Sequence, residues 1–550
     1  MTTTESAPDT AARHEVASPV TERADDTPVP TSDLADWLTT GDHKRIGRLY
    51  ALTAMVFALG VLLIGGLLSL EKVDDSGAAI LKVDSVAQID SLYRFGGLFL
   101  VAAPLLLGLA IAIVPLQVGA RSIAFPRAAA LSFWAWLVGG GTMVGAYAAN
   151  GGPSGGKGDM VDLFLAALVV VIAALAIGWV CVATTVLGLR TPGMFLDEVP
   201  TFSWAVLVSA IANLVTLPVL AGGAVLAFVD HRYGGRGLAP NVGVGRWLSW
   251  SVEQPQIYVY GIALLGITAD IVPVFARRAQ QLRGVLFTAV GLTLVAAFGG
   301  MTRTRLFPDL GNGSKGVASA LFYALTFLLP LLGALAVLAL GGLSLRSGKP
   351  RLSGPLVLGV AALLMFLVAI VIGALGPIRG LGLLAESNSD GVDTIYVQSV
   401  VDYVVFAALL GGLAGLAYWG PKLWGRRLPD GPVIGLGLFG LIGVVLTAFP
   451  KVILGFLGQQ DVEVNDLRGG AGWLNAVSVA GYVVLLIVVV AFLALALRSW
   501  TGRGDEAGDD PWDGHTLEWL TSSPPPPTNF AEAPAVTSAT PALDRKWTAS

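Results

Sequence analysis

The sequence predicts an all-α polytopic membrane protein of about twelve transmembrane helices. Three observations predict it. Hydrophobic residues make up 54% of the 550 residues and charged residues only 13%, with a mean hydropathy of +0.72. Such a charge density is about half that of a soluble domain, so water could not solvate the surface but lipid can. Apolar stretches of at least ~20 residues, enough to cross the hydrocarbon, recur along the chain. Basic residues gather in alternate loops between them.

Taken in order, the spans read approximately 46–70, 92–119, 128–149, 162–188, 201–229, 255–275, 282–302, 316–344, 353–377, 394–423, 433–457 and 474–498. The first follows Lys44 and Arg45, carries Arg48 in its first turn and stops before Lys72. The second carries Pro104 and Pro115, the fifth Pro218 and the eighth Pro330. Proline inside a span does not forbid helix there, because neighbouring helices satisfy the freed backbone groups. Cys181, the one cysteine, sits in the fourth span and reads as a small buried apolar residue; it excludes a disulfide framework. The sixth span ends at Arg277 and Arg278, the eighth at Arg346, the tenth at Lys422 and the last at Arg498.

Residues 1–40 are polar, acidic and rich in Thr, Ala, Asp and Pro, and are expected to be a disordered tail without a cleaved signal peptide. Residues 41–500 form the membrane domain. Residues 501–550, with Pro524 to Pro527 in a run, are expected to be a second disordered tail. The alternative for that tail is a short docking turn built on Trp512, Leu517, Trp519 and Leu520. About 17 basic residues fall in the loops on the N-terminal side and about 11 on the opposite side, which places both termini in the cytoplasm. A net charge of −4 gives no reason to expect nucleic-acid binding, so the expected partner is the lipid bilayer. Richness in Ala, Gly, Val and Leu suggests a bacterial cytoplasmic membrane.

Four motifs are specific. Thr40-Gly-Asp-His-Lys-Arg-Ile-Gly-Arg-Leu-Tyr50 resembles the DHKRIG entry to the first helix of haem–copper oxidase (cytochrome c oxidase) subunit I. Val118-Gly-Ala-Arg-Ser-Ile-Ala-Phe-Pro-Arg-Ala-Ala-Ala-Leu-Ser-Phe-Trp134 is similar to that family's GAxDxAFPRxNxxSFW loop. Ile267-Thr-Ala-Asp-Ile-Val-Pro-Val-Phe-Ala-Arg-Arg278 resembles the stretch after its HPEVY motif, and Tyr418-Trp-Gly-Pro-Lys-Leu-Trp-Gly-Arg426 the end of its tenth helix. The matches come in the family's order, and the resemblance spans roughly residues 38–500. It implies the family's helical bundle, two haems and a copper, with six histidine ligands.

This chain has four histidines, His14, His43, His231 and His515, and all are expected in tails or loops. Placed motif by motif, the low-spin haem ligand positions are Tyr93 and Asp402 and the high-spin ligand position is Val400. The copper positions are Gln254, Thr304 and Arg305. An isopropyl group cannot bind iron. Copper prefers imidazole or thiolate, and a fixed positive charge at Arg305 opposes a cation. Tyr258, which the family cross-links to a copper histidine, is retained, but its partner position is Gln254 and the carboxylate of that helix is Gln256. Ser122 stands where the loop motif carries a carboxylate, and the eighth-helix lysine falls near Gly333 or Ala334. The propionate-binding arginine pair becomes Gly458-Gln-Gln-Asp-Val462.

No haem or copper is therefore expected, and no catalytic residue. Charges brought into the spans include Arg94, Asp402, Arg303, Arg305 and Lys451. Ionisable groups at mid-bilayer cost at least ~2.5–3.5 kcal/mol each, so they need partners. The sharpest expectation is an ion pair between Arg94 and Asp402 near the low-spin position. The alternative has Arg94 snorkelling to the interface and Asp402 bonding Tyr93 or water. Asp270 and Arg277–Arg278 are expected to fix helix ends. Three functions remain open: a non-catalytic scaffold or accessory partner of oxidase-type subunits, a working oxidase subunit with unusual ligands, and an ion or small-solute conduit.

Overall fold

Backbone polar groups in a bilayer must bond within their own segment, so apolar runs of this length fold as helices. They do so in the computed structural model, which describes residues 37, 39–73, 80, 81, 83–153, 155–234, 248, 256–299, 313–376, 394–460, 471–530, 532 and 534–549. In chain order the helices are α1 His43–Glu71, α2 Ser85–Gln117, α3 Pro126–Ala148, α4 Gly158–Gly188, α5 Thr201–Tyr233, α6 Gln256–Ala276, α7 Arg283–Phe298, α8 Ala324–Ser347, α9 Gly354–Gly373, α10 Tyr396–Trp424, α11 Asp430–Phe456 and α12 Ala471–Arg498. Among the described residues eleven of these are long and apolar enough to cross a membrane. The exception is α7, expected as a span over 282–302. It tightens into a 3₁₀ helix at Thr293–Phe298, and residues 300–312 lie outside the described ones.

Residues Gly41–Ser550 form one unit, and within it α10 and the part of α2 from Phe95 onward are buried on every side. Both are apolar round their whole circumference, as a central helix must be. By contrast, α3, α11 and α12 leave much of their surface facing outward. Close approach of α1 to α2 depends on small residues: a Cβ on Gly47 would stand 2.5 Å from the Ala112 Cβ and from the Gly108 carbonyl oxygen. α2 opens into π turns over Gly96–Ala102 before resuming at Ala103. Pro104 has no N–H to bond the preceding turn, so the ladder loosens just before it. Elsewhere Pro115, Pro218, Pro273 and Pro421 are carried inside continuous helices.

Two expectations are corrected. His43 opens α1 and His231 sits in the last turn of α5, at helix ends rather than in loops. His14, with nearly all of the N-terminal tail, lies outside the described residues.

The larger correction concerns residues 501–550, expected to be disordered. The docking turn wins: the tail is a strap, seated across the end of the bundle where α1 begins. Leu517–Leu520 forms a 3₁₀ turn and Pro541–Ala549 a short helix, α13. Trp512 Nε1 donates to the Tyr418 carbonyl (2.9 Å), and Trp519 Nε1 to the Tyr418 hydroxyl (3.1 Å). Lys422 Nζ donates to the carbonyls of Asp509 (2.8 Å) and Thr521 (2.6 Å). Asn529 is fully used: Nδ2 donates to the Ala120 carbonyl (2.8 Å) and to His43 Nε2 (2.9 Å), while Oδ1 accepts from Lys44 Nζ (3.0 Å). That network makes His43 a neutral tautomer whose Nδ1 donates to the Ile111 carbonyl at 3.2 Å. Low average hydrophobicity concealed a few anchors, Trp512, Leu517, Trp519, Phe530 and Val536, all buried.

Candidate functional site

Asp402 lies at the middle of the bundle's polar interior, with no exposed surface. Its helix, α10, also supplies Gln398 one turn earlier, and Gln398 Nε2 donates to Asp402 Oδ1 at 2.7 Å. Tyr93 comes from α2, Lys451 from α11 and Tyr482 from α12. The Lys451 ammonium meets Asp402 Oδ2 at 2.6 Å and donates to the Tyr482 hydroxyl at 2.7 Å. The Tyr93 hydroxyl donates to Asp402 Oδ1 at 2.7 Å and stands 2.7 Å from the Tyr482 hydroxyl. One assignment satisfies both hydroxyl donors: Lys451 to Tyr482, Tyr482 to Tyr93, Tyr93 to Asp402, with Lys451 closing the ring on Asp402. The ammonium also rests over both phenol rings, 5.6 Å from the Tyr93 centroid and 4.9 Å from that of Tyr482.

Buried charges persist only when paired and hydrogen-bonded, and here each has both. Beside the ring is a cavity of about 10 Å³, room for about one water, lined among others by Ser69, Lys72, Asp90 and Gln398. The remaining space is closed by rings. A Cβ on Gly65 of α1 would lie 2.4 Å from Tyr482 and 2.5 Å from Tyr93.

The expected Arg94–Asp402 pair does not form. Arg94 Nε meets Asp90 Oδ2 at 2.9 Å, one turn back on its own helix. Neighbours in sequence point about 100° apart on a helix, so Arg94 leaves its backbone on a different side from Tyr93. Lys451 takes the place assigned to it. The sequence presents Lys451 as a charge in a span without naming its partner, and nothing in it singles out Tyr482. The available signal was that two spans each held one uncompensated charge of opposite sign.

On the other flank of α10, Val400 is fully buried two residues before Asp402. Tyr258, buried in α6, donates its hydroxyl to the Ala369 carbonyl at 3.3 Å and meets Phe327 and Phe366 edge-on. Gln256 is buried beside it. Gln254, Thr304 and Arg305 lie outside the described residues. Gln459, from the Gly458-to-Val462 stretch, is buried with both amide atoms unpartnered among the described residues. Asp270 holds a helix end: its carboxylate accepts from the backbone N–H of Thr201 (2.9 Å) and Phe202 (3.2 Å) at the start of α5.

A family model, Cytochrome C and Quinol oxidase polypeptide I, matches residues 45–499. The chain belongs to this family. It is 30% identical over 545 residues to the cytochrome c oxidase subunit 1 of Bacillus subtilis (strain 168), covering 94% of this chain and 83% of that one. It is also 30% identical over 539 residues to the putative cytochrome c oxidase subunit 1-beta of Streptomyces avermitilis, covering 93% and 92%. The heme-copper oxidase subunit I+III of Aeropyrum pernix is 28% identical over 91% of this chain and 62% of its own length.

Members of the oxidase family are expected to hold haem, so the fit of the residues to it matters. The residues expected at the low-spin position do not suit it. Tyr93 and Asp402 are bonded to one another, an ammonium occupies the face between them, and the cavity admits about one water. Val400, expected at the high-spin position, offers no donor atom. Among the described residues no three His, Cys, Asp or Glu side chains are grouped as a metal site would require.

Proposed function

We propose that this oxidase subunit I homologue is a non-catalytic membrane protein, a scaffold or accessory subunit for other oxidase-type membrane subunits. The carrying observation is the Lys451–Asp402 pair, locked by two tyrosines where low-spin haem ligands would stand. The site is stabilised by an internal ion pair and by hydrogen bonds among side chains of four helices. The bundle is retained and the chemistry is not. One relative bears the name heme-copper oxidase subunit I+III, which supports association with other oxidase-type subunits. The distribution of basic residues supports placement in a bacterial cytoplasmic membrane with both termini in the cytoplasm. A strap that returns to the start of α1 supports a shared side for the two ends.

The test is an absorption spectrum of the purified full chain together with iron and copper analysis. The expected result is no Soret band and metal far below one atom per chain, with pigmented respiratory subunits co-purifying from native membranes. Stoichiometric haem in the isolated chain would overturn the reading and favour a working oxidase. Flux of ions through proteoliposomes would favour a conduit, against which the closed ring and its water-sized cavity argue.

A further inference from the structure

The strap carries a carboxylate into the bundle. Glu518, in the Leu517–Leu520 turn, has no exposed surface. Its Oε1 accepts from Trp419 Nε1 at 3.0 Å and from Gln117 Nε2 at 3.1 Å. Oε2 is buried without a hydrogen-bonding partner, although the Thr516 hydroxyl approaches the carboxyl and favours its charged form. The same Gln117 nitrogen donates at 2.9 Å to Asp270 Oδ2. The amide is held in register from behind, since Gln117 Oε1 accepts from the Ser203 hydroxyl at 2.7 Å. Two buried carboxyls, one from α6 and one from the strap, thus divide a single amide between them. Like charges at such a site cannot both ionise cheaply.

We propose that residues 509–549 are a proton-linked latch, closed while Glu518 and Asp270 share one proton and loosened when both carboxyls ionise. Only the strap can move: Asp270 is fixed by the first turn of α5, so Glu518 is the member that leaves. The charged groups around the pair do not remove the conflict. From α10, Lys422 faces Glu518, but its ammonium is committed to the carbonyls of Asp509 and Thr521 and lies 5.1 Å over the Trp519 ring. From α7, Arg283 faces Asp270, but it donates to the Asp197 carbonyl (2.9 Å) and the Val199 carbonyl. The Tyr418 hydroxyl of α10 accepts from Trp519 rather than serving either carboxyl. Lys546 of α13 turns to Asp510 at 2.5 Å. His515, the strap's histidine, is lowered to about 4 by burial and then by the Lys546 ammonium, so it stays neutral while the latch works. Burial pushes the Glu518 carboxyl above the usual carboxylate range, and the hydrogen bonds from Gln117 and Trp419 offset only part of that.

The sign follows from linkage. The closed strap binds a proton that the open strap releases, so closure is complete at acidic pH and is lost as pH rises through the pKa of the closed state. The experiment follows amide hydrogen exchange of residues 517–521 in the full chain across pH, corrected for the intrinsic rate. The opening constant should climb towards tenfold per pH unit between the open-state and closed-state values and then level off. Glu518→Gln keeps shape and hydrogen bonds but has no proton to lose, and its opening constant should be flat. A flat wild-type profile, or an unchanged slope in Glu518→Gln, would overturn the proposal. Should Glu518→Gln not fold, infrared difference spectra of the wild type decide. Loss of a protonated-carboxyl band in step with strap opening supports the latch, and opening with no such loss overturns it.

Discussion

At the scale of single residues, the low-spin position turns on whether two buried charges are worth more together than apart. Taking away one partner of a buried pair costs about 3–5 kcal/mol, because the other stays charged and unsolvated, whereas replacing both with apolar groups is often neutral. Lys451→Met should therefore destabilise the chain by about 3–5 kcal/mol, and the double variant Asp402→Leu/Lys451→Met should recover most of that loss. Reversible unfolding in mixed detergent micelles measures both; a Lys451→Met chain as stable as wild type would show that the pair carries no weight. The sequence made Asp402 legible as an intruding charge and Tyr93 as its neighbour in the family motif. It could not show the partner, because Lys451 lies 49 residues away and Tyr482 lies 80 away. Arg94 drew attention by adjacency, yet Asp90 at i−4 captures it on the same helix.

At the scale of elements, the spans were legible because bilayer thickness sets a length that composition alone reveals. What escaped were elements whose order comes from tertiary contact. The Leu517–Leu520 turn is too short to show a period, and α7 is only partly α-helical. Helix contacts were equally hidden, since glycine in a span can mark either a crossing or nothing. The structure separates the two cases on α1. A Cβ added to Gly47 would stand 2.5 Å from the Ala112 Cβ, while a Cβ on Gly60 would meet nothing within 4 Å. Overpacking of this kind costs about 1–3 kcal/mol, so Gly47→Ala should lower the melting temperature clearly. Gly60→Ala should leave it unchanged or raise it, since alanine is the better helix former by up to about 1 kcal/mol. Equal effects from the two substitutions would contradict the α1–α2 crossing.

At the scale of the whole molecule, two polar constructions sit at different heights of one bundle. The strap grips the end where α1 starts, at His43, while the ion-pair ring packs against Gly65 of the same helix. Twenty-two residues of helix separate those levels, about 33 Å at 1.5 Å per residue. Between them α2 over residues 95–116 and α10 over residues 403–421 are buried and mostly apolar, and offer packing rather than a polar chain to connect the sites. Coupling between sites requires shared partners or an element with two arrangements, and α10 is a continuous helix from Gln398 to Lys422. Trp519→Ala, which removes an indole buried against Tyr418 and Lys422, should cost about 3–5 kcal/mol if the strap unfolds with the bundle. It should cost less in the global transition if the strap opens as a separate unit. Either way, combining it with Lys451→Met should give the sum of the two single effects within about 0.3–0.5 kcal/mol. The measurement is a double-mutant cycle on equilibrium unfolding of the full chain. An interaction energy well above that margin would mean that strap and ring report to each other along α10, and the bundle would have to be read as one switch rather than two independent devices.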